Sequence, residues 1–161
     1  MYGAIITTLF VFVCFVLENA FSGLLGDWFK PNLLIILIVF FNLFRGIRYS
    51  ILAALLAGLL KDSLGVKPFG INIFAFVACA YLTTYIKMYI YHVGSVASRV
   101  FLVFVITTIN VLILYILNMI FFPVSFTEMF CFILIPELAA TLLLTAYVFE
   151  KLKQCALRLY A

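Results

Sequence analysis

Six long runs of apolar residues, separated by short segments that carry most of the charges, constrain this chain more than any other feature. A helix needs about 20 apolar residues to cross the roughly 30 Å hydrocarbon core of a bilayer, and these runs approach that length. Hydrophobic residues make up 68% of the sequence and charged residues 10%, too little charge for a water-soluble surface. The sequence therefore predicts an all-α integral membrane protein, with a six-transmembrane-helix bundle as one domain over residues 1–161.

The predicted helices cover residues 3–25, 31–44, 49–65, 69–90, 99–122 and 128–150. No basic leader precedes the first, so we expect it to be retained rather than cleaved. The second and third contain uncharged stretches of only 14 and 12 residues, which leaves a re-entrant hairpin as the alternative to two crossings. Such a hairpin would bury Arg45 and Arg48 at mid-bilayer. We therefore favour two crossings, with Lys30 and Lys61 extending to the interface.

Six crossings place both termini on one side of the membrane, and the basic residues indicate which side. Most of them lie on the terminus side, and the three on the other side are offset by acidic residues. The positive-inside rule then predicts cytoplasmic N and C termini. The terminus-side basic residues are Arg45, Arg48, Lys87, Arg99, Lys151, Lys153 and Arg158.

Asp62 stands out because a carboxylate at membrane depth costs roughly 2.5–3.5 kcal/mol and must face protein or water. It shares a helix face with Gly58 and Gly65, a small-residue pattern that lets a second backbone approach. Pro68 and Gly70 then turn the chain into the next helix. We expect this segment to set the angle between the third and fourth helices and to contribute to partner binding.

Glu18 in the first helix and Glu137 in the sixth are also acidic residues within apolar segments. Each must be protonated, paired or hydrated, and structural and functional roles stay open for both. Pro136 is expected to kink the last helix beside Glu137. Other polar residues on helix faces are expected to join helices by hydrogen bonds: Asn72, Thr83, Thr107, Asn110, Asn118, Thr141 and Thr145.

The sequence indicates no enzyme. It contains no GxSxG or HExxH motif, and its single histidine, His92, lies in a predicted loop. The four cysteines are far apart and form no CxxC pair. We therefore predict no catalytic residue, no cofactor and no metal site. A net charge of +4 spread along the chain gives no indication of nucleic-acid binding.

A series of short motifs resembles one protein family. The order is Lys30-Pro31-Asn32, Arg45-Gly46, Gly58-Leu-Leu-Lys-Asp62-Ser63-Leu-Gly65, Pro68-Phe69-Gly70 and Ala80-Tyr81-Leu82. Together with the length and the number of helices, it is similar to the rod shape-determining protein MreD. Family members commonly carry an acidic residue at the position of Asn32 and often glutamine at that of Glu18.

The resemblance implies a non-enzymatic scaffold of the bacterial cell-elongation machinery, which builds peptidoglycan and maintains rod shape, in the inner membrane. The implied partners are an MreC-like bitopic protein and, directly or indirectly, MreB, RodA and a class B penicillin-binding transpeptidase, besides membrane lipids. Self-association is left open. The family is also similar in fold to the substrate-binding subunits of energy-coupling-factor transporters.

That similarity of fold supplies an alternative, because related bundles host different functions. The chain would then be a vitamin-binding transporter subunit, with a pocket open toward the outer face near Glu18 and Asp62. Such subunits typically carry an Ala-xxx-Ala patch on the first helix, for which Gly3, Ala4, Thr7 and Thr8 are a faint substitute.

Overall fold

The computed structural model describes residues 2–25, 31–64, 68–90, 96–121 and 134–160. Within these ranges the chain forms six helices. They are α1 (Tyr2–Leu25), α2 (Leu33–Phe44), α3 (Ile47–Leu64), α4 (Ile71–Ile90), α5 (Val96–Phe121) and α6 (Ile135–Tyr160). Three segments are long and apolar enough to cross a membrane: Gly3–Leu24, Ile71–Tyr89 and Val96–Ile120.

Helix α2 is the centre of the structure. Every residue from Leu33 to Asn42 is buried, as expected for a helix that is apolar all round. Each of the other five helices packs against it. Asn32 is its N-cap, with Oδ1 accepting a hydrogen bond from the Ile35 amide at 3.3 Å. The helix thus begins two residues later than predicted, because asparagine is favoured at the N-cap position more than inside the first turn.

The helix pairs differ in how extensively they pack. Helices α3 and α4 form the most extensive helix pair. Among the described residues, helix α1 packs on α2 and α3 only, and α6 packs on α2 and α5 only. The first and last helices therefore pack on α2 but not on each other.

Helix α6 differs from its prediction at both ends. It extends to Tyr160, ten residues beyond the predicted end, since residues 151–160 contain no glycine or proline to stop it. Pro136 is the second residue of α6, where its missing amide hydrogen is not needed and its ring fits the first turn. Residues 128–133, which include the predicted start of this helix, lie outside the described residues.

Candidate functional site

Asp62 caps the N-terminus of the following helix. Its side chain is 5% exposed. Oδ2 accepts hydrogen bonds from the amides of Gly70 at 3.0 Å and Ile73 at 3.2 Å. Oδ1 accepts from the Asn72 amide at 3.2 Å and from Asn72 Nδ2 at 2.8 Å. The carboxylate of α3 therefore satisfies donors that would otherwise be unpaired at the start of α4, and its charge favours the positive end of that helix.

Close backbone contact accompanies this cap. A Cβ placed on Gly58 would lie 2.7 Å from the Ile73 backbone nitrogen and 3.0 Å from its Cγ1, too close for any side chain. Gly70, which ends the turn into α4, has a φ of +103°, a conformation that favours glycine. These two glycines thus allow α3 and α4 to approach until the Asp62 carboxylate reaches the α4 amides.

Glu18 and Lys61 form an ion pair between α1 and α3. Lys61 Nζ lies 2.6 Å from Glu18 Oε1, and Glu18 Oε2 accepts a hydrogen bond from the Leu34 amide in the first turn of α2 at 3.3 Å. The Lys61 ammonium also lies 5.4 Å from the centre of the Phe76 ring, within range of a cation–π interaction. Lys61 was predicted to extend to the interface, and the structure shows in addition that its ammonium pairs with a carboxylate of α1.

Glu137 joins α6 to the start of α2. Asn32 Nδ2 donates to Glu137 Oε1 at 2.7 Å, and the Asn32 amide donates to Thr141 Oγ1 at 3.0 Å. The Lys61 ammonium interacts electrostatically with Glu137 as well as with Glu18. Three ionisable groups from three helices therefore meet around the N-terminus of α2.

These groups line a cavity of about 180 Å³. Its polar lining comes from α1, the N-cap of α2, α3 and α6, and Leu114 of α5 adds an apolar contact. The polar residues are Glu18, Asn19, Ser22, Asn32, Lys61 and Glu137. We call this cavity and its polar lining the charged cleft.

A second buried polar group lies at the opposite end of α2, and the sequence did not single it out. Asn42, which is fully buried, donates through Nδ2 to the Ala80 carbonyl at 2.9 Å and to Thr84 Oγ1 at 2.8 Å. Lys87 Nζ donates to the Asn42 carbonyl at 2.9 Å. Asparagine inside an otherwise apolar helix is the signal that identifies this position.

Replacing Asn42 with alanine should lower the free energy of unfolding by about 1–2 kcal/mol, because the Ala80 carbonyl and Thr84 lose a buried donor. Thermal unfolding of the purified protein in detergent measures the effect. Replacing Asn19 with alanine is the control, because Asn19 donates only to the Phe15 carbonyl of its own helix and is exposed. Equal losses in the two variants would contradict the expected role of Asn42.

The expected hydrogen-bonded polar faces are only partly present. Asn72 and Thr141 do bond to neighbouring helices. Thr83, Asn118 and Thr145 instead donate to carbonyls one turn back in their own helices, the usual local alternative for such side chains. The buried Thr107 Oγ1 and Asn110 Nδ2 have no hydrogen-bond partner among the described residues. Asn110 Oδ1, however, accepts a weak hydrogen bond from Cys79 Sγ at 3.8 Å, which joins α5 to α4 as expected. For Thr83, Thr107, Asn118 and Thr145 the prediction of side-chain bonds donated between helices is wrong within the described part of the chain.

The family model described as rod shape-determining protein MreD matches residues 1–154 of the chain. The chain belongs to the MreD family. The resemblance inferred from the sequence motifs is thereby confirmed, and with it a membrane protein associated with rod-shape determination. No curated protein and no solved structure matches the chain.

In this MreD protein the predicted site residues separate into two groups. Gly58, Asp62 and Gly70 meet at the junction of α3 and α4, which Pro68, half-buried, precedes. Glu18 and Glu137 lie apart from them in the charged cleft. Gly65 lies outside the described residues. Lys61 and Asn32, which connect the two glutamates, were not among the predicted site residues.

Neither group resembles a catalytic or metal centre. Within the described ranges, no cluster of three or more His, Cys, Asp or Glu side chains is arranged to hold a metal ion. Asp62 uses both oxygens to bind backbone and amide donors. MreD is a shape-determining family and not a known enzyme family. The chemistry that the described residues offer is hydrogen bonding and ion pairing.

The ion pair should contribute measurably to stability. Replacing Lys61 with methionine leaves Glu18 partly buried and unpaired, and we expect a loss of about 1–2 kcal/mol, reduced by the partial exposure of both side chains. The double variant Lys61→Met with Glu18→Gln should recover most of this loss. A double-mutant cycle by thermal unfolding tests the expectation, which additive effects of the two substitutions would contradict.

Proposed function

We propose that this MreD protein is a non-enzymatic scaffold of the bacterial cell-elongation machinery, in the inner membrane. Its ionisable groups support this reading because Asp62, Glu18 and Lys61 each serve to hold helices together. The observation that carries the proposal is the match of residues 1–154 to the MreD family. The partners that we propose are an MreC-like bitopic protein and, directly or through it, MreB, RodA and a class B penicillin-binding transpeptidase.

The proposed topology has six crossings with cytoplasmic termini. Helix α2, at 12 residues, is about 18 Å long at 1.5 Å per residue and alone is shorter than the hydrocarbon core. It is enclosed by the other five helices, so its ends need not contact lipid. Arg45 and Arg48 then lie on the cytoplasmic side, and cysteine labelling of the 45–48 connection from outside the cell would contradict this topology.

Helix α1 is the best candidate surface for a partner's transmembrane helix. Among the described residues it packs on α2 and α3 alone, and it presents an exposed apolar row at helical spacing: Ile5, Leu9, Phe12 and Val16. In lipid, such a row associates with another helix by close packing rather than by the hydrophobic effect. We infer that the MreC-like protein binds along this row.

Photocrosslinking in cells tests this function. A photoreactive residue at Leu9 or Phe12 should capture the bitopic partner, whereas one at Leu143, an equally lipid-accessible position on α6, should not. Capture of lipid alone at every position would contradict the scaffold. Copurification with an ATPase-coupled module and a bound vitamin would instead indicate a transporter subunit.

A further inference from the structure

The charged cleft lies where two parts of the bundle do not meet. Glu18, Asn19 and Ser22 of α1 form one wall, and Leu114 of α5 and Glu137 of α6 form the other. Helix α1 packs on neither α5 nor α6 among the described residues. Among the described residues, the cleft therefore separates α1 from the last two helices, and the N-cap of α2 and Lys61 of α3 lie between them.

The charges around the cleft are nearly balanced, and one carboxylate and the ammonium form the ion pair described above. Two carboxylates, on Glu18 and Glu137, accompany one ammonium, on Lys61. The N-termini of α2 and α6 add about half a positive charge each, since Glu18 accepts the Leu34 amide and Glu137 lies in the first turn of α6. A site with both signs and little net charge is complementary to a ligand that itself carries both.

The size of the cleft limits the ligand. Its volume of about 180 Å³ is below the roughly 300–1,000 Å³ that is usual for drug-sized ligands. It equals the space of about six water molecules at 30 Å³ each. A small charged group fits this volume, whereas a vitamin-sized molecule exceeds it.

The cleft lies near the ends of two helices. Glu18 lies seven residues before the end of α1 at Leu25, and Lys61 three residues before the end of α3 at Leu64. At 1.5 Å per residue these positions are about 10 Å and 5 Å below the helix ends. In the proposed six-helix topology these helix ends face the outer side of the membrane, so the cleft lies in the outer half of the bilayer.

We propose that the charged cleft binds a small zwitterionic group, a primary ammonium joined to a phosphate or carboxylate, as in the headgroup of phosphatidylethanolamine. The ammonium lies against Glu137 and Glu18, and the anionic group faces Lys61. This goes beyond the scaffold role and does not depend on it, since a bound headgroup closes the gap between α1 and α6 whatever partner is present. The same chemistry occurs in soluble zwitterions such as phosphoethanolamine.

Thermal unfolding and native mass spectrometry of the purified full chain in detergent test the proposal. Phosphatidylethanolamine should raise the unfolding midpoint and remain bound, because a ligand of the folded state stabilises it. Phosphatidylcholine with the same acyl chains should raise the midpoint less, since its quaternary ammonium donates no hydrogen bond. Phosphatidylglycerol, which has no ammonium, should give the smallest rise in the midpoint of the three lipids.

Two variants and one control locate the site. We expect Glu137→Gln to weaken phosphatidylethanolamine binding about tenfold through loss of a charge-assisted hydrogen bond. The uncharged pair Glu18→Gln with Lys61→Met should weaken it at least as much. Glu150→Gln should leave binding unchanged, because Glu150 is exposed, lies outside the cleft and is about 20 Å along α6 from Glu137.

Each outcome decides for or against the proposal. If phosphoethanolamine alone reproduces the effect of the lipid, the ligand is a soluble zwitterion of the same chemistry. Equal stabilisation by all three lipids, with none from phosphoethanolamine, overturns the proposal, as does a loss in Glu150→Gln equal to that in Glu137→Gln. If a variant fails to fold by circular dichroism, the comparison of lipids on the unaltered protein decides. Failure of the lipid test leaves the photocrosslinking result, and hence the scaffold, unaffected.

Discussion

Replacing Asp62 with alanine is expected to lower the free energy of unfolding by about 3 kcal/mol or more. The substitution leaves the amides of Gly70, Asn72 and Ile73 without their acceptor. An unpaired buried donor costs about 1–3 kcal/mol, and three lose their partner at once. Thermal unfolding in detergent measures the total, and hydrogen exchange of the first turn of α4 should show where the loss occurs.

Two comparisons make the Asp62 result specific. Asp62→Asn keeps one acceptor oxygen and should lose roughly half as much, since one pair of donors remains satisfied. Ser63→Ala is the matched control, because the neighbouring Ser63 is exposed and donates only to the Leu59 carbonyl of its own helix. Unchanged exchange of the α4 amides in Asp62→Ala would show that the carboxylate does not hold this helix end.

Replacing Gly58 with alanine should lower the free energy of unfolding by about 2–3 kcal/mol, near the upper end for overpacked sites. The obstacle is the backbone of Ile73, with its nitrogen 2.7 Å from the added Cβ. A backbone cannot move aside as the tip of a flexible side chain can, so α3 and α4 must separate. Gly58→Leu should lower the free energy of unfolding further than Gly58→Ala, because leucine is larger. It should also weaken association with the bitopic partner, because the separation of α3 from α4 alters the whole bundle.

Gly23 supplies the control for Gly58. It also lies within a helix, α1, but a Cβ at Gly23 has no atom within 4 Å. Gly23→Ala should be neutral or stabilising by about 0.5–1 kcal/mol through helix propensity. Similar losses for the two alanine variants would show that contact with Ile73 does not decide the effect. Full partner binding by both Gly58→Leu and Asp62→Ala would contradict a role of this junction in partner binding.

The α3–α4 junction was the part of the site most open to prediction from sequence. A carboxylate in an apolar helix has to find donors, and Gly58, Pro68 and Gly70 indicate that a second helix passes close by. The donors themselves are mostly backbone amides, which every residue type carries. Sequence therefore predicted that Asp62 has a partner near the turn, but not which atoms form it.

The charged cleft was less predictable for a different reason. Glu18 and Lys61 are 43 positions apart in the sequence, and nothing local says that α1 and α3 pack side by side. When that contact is not known, the sequence favours a Lys61 side chain that extends to the interface. The residue type of Asn32 and its place after Pro31 are typical of an N-cap. Its hydrogen bond to Glu137 is visible only in the tertiary structure.

Lys61 and Asp62 are adjacent in the sequence, yet one reaches α1 and the other α4. A rotation of α3 about its own axis that keeps one of these contacts would break the other. An axial slide by one residue would likewise displace both charges from their partners. The orientation and the height of α3 are thereby fixed together by two neighbouring side chains that anchor it to α1 on one side and to the start of α4 on the other.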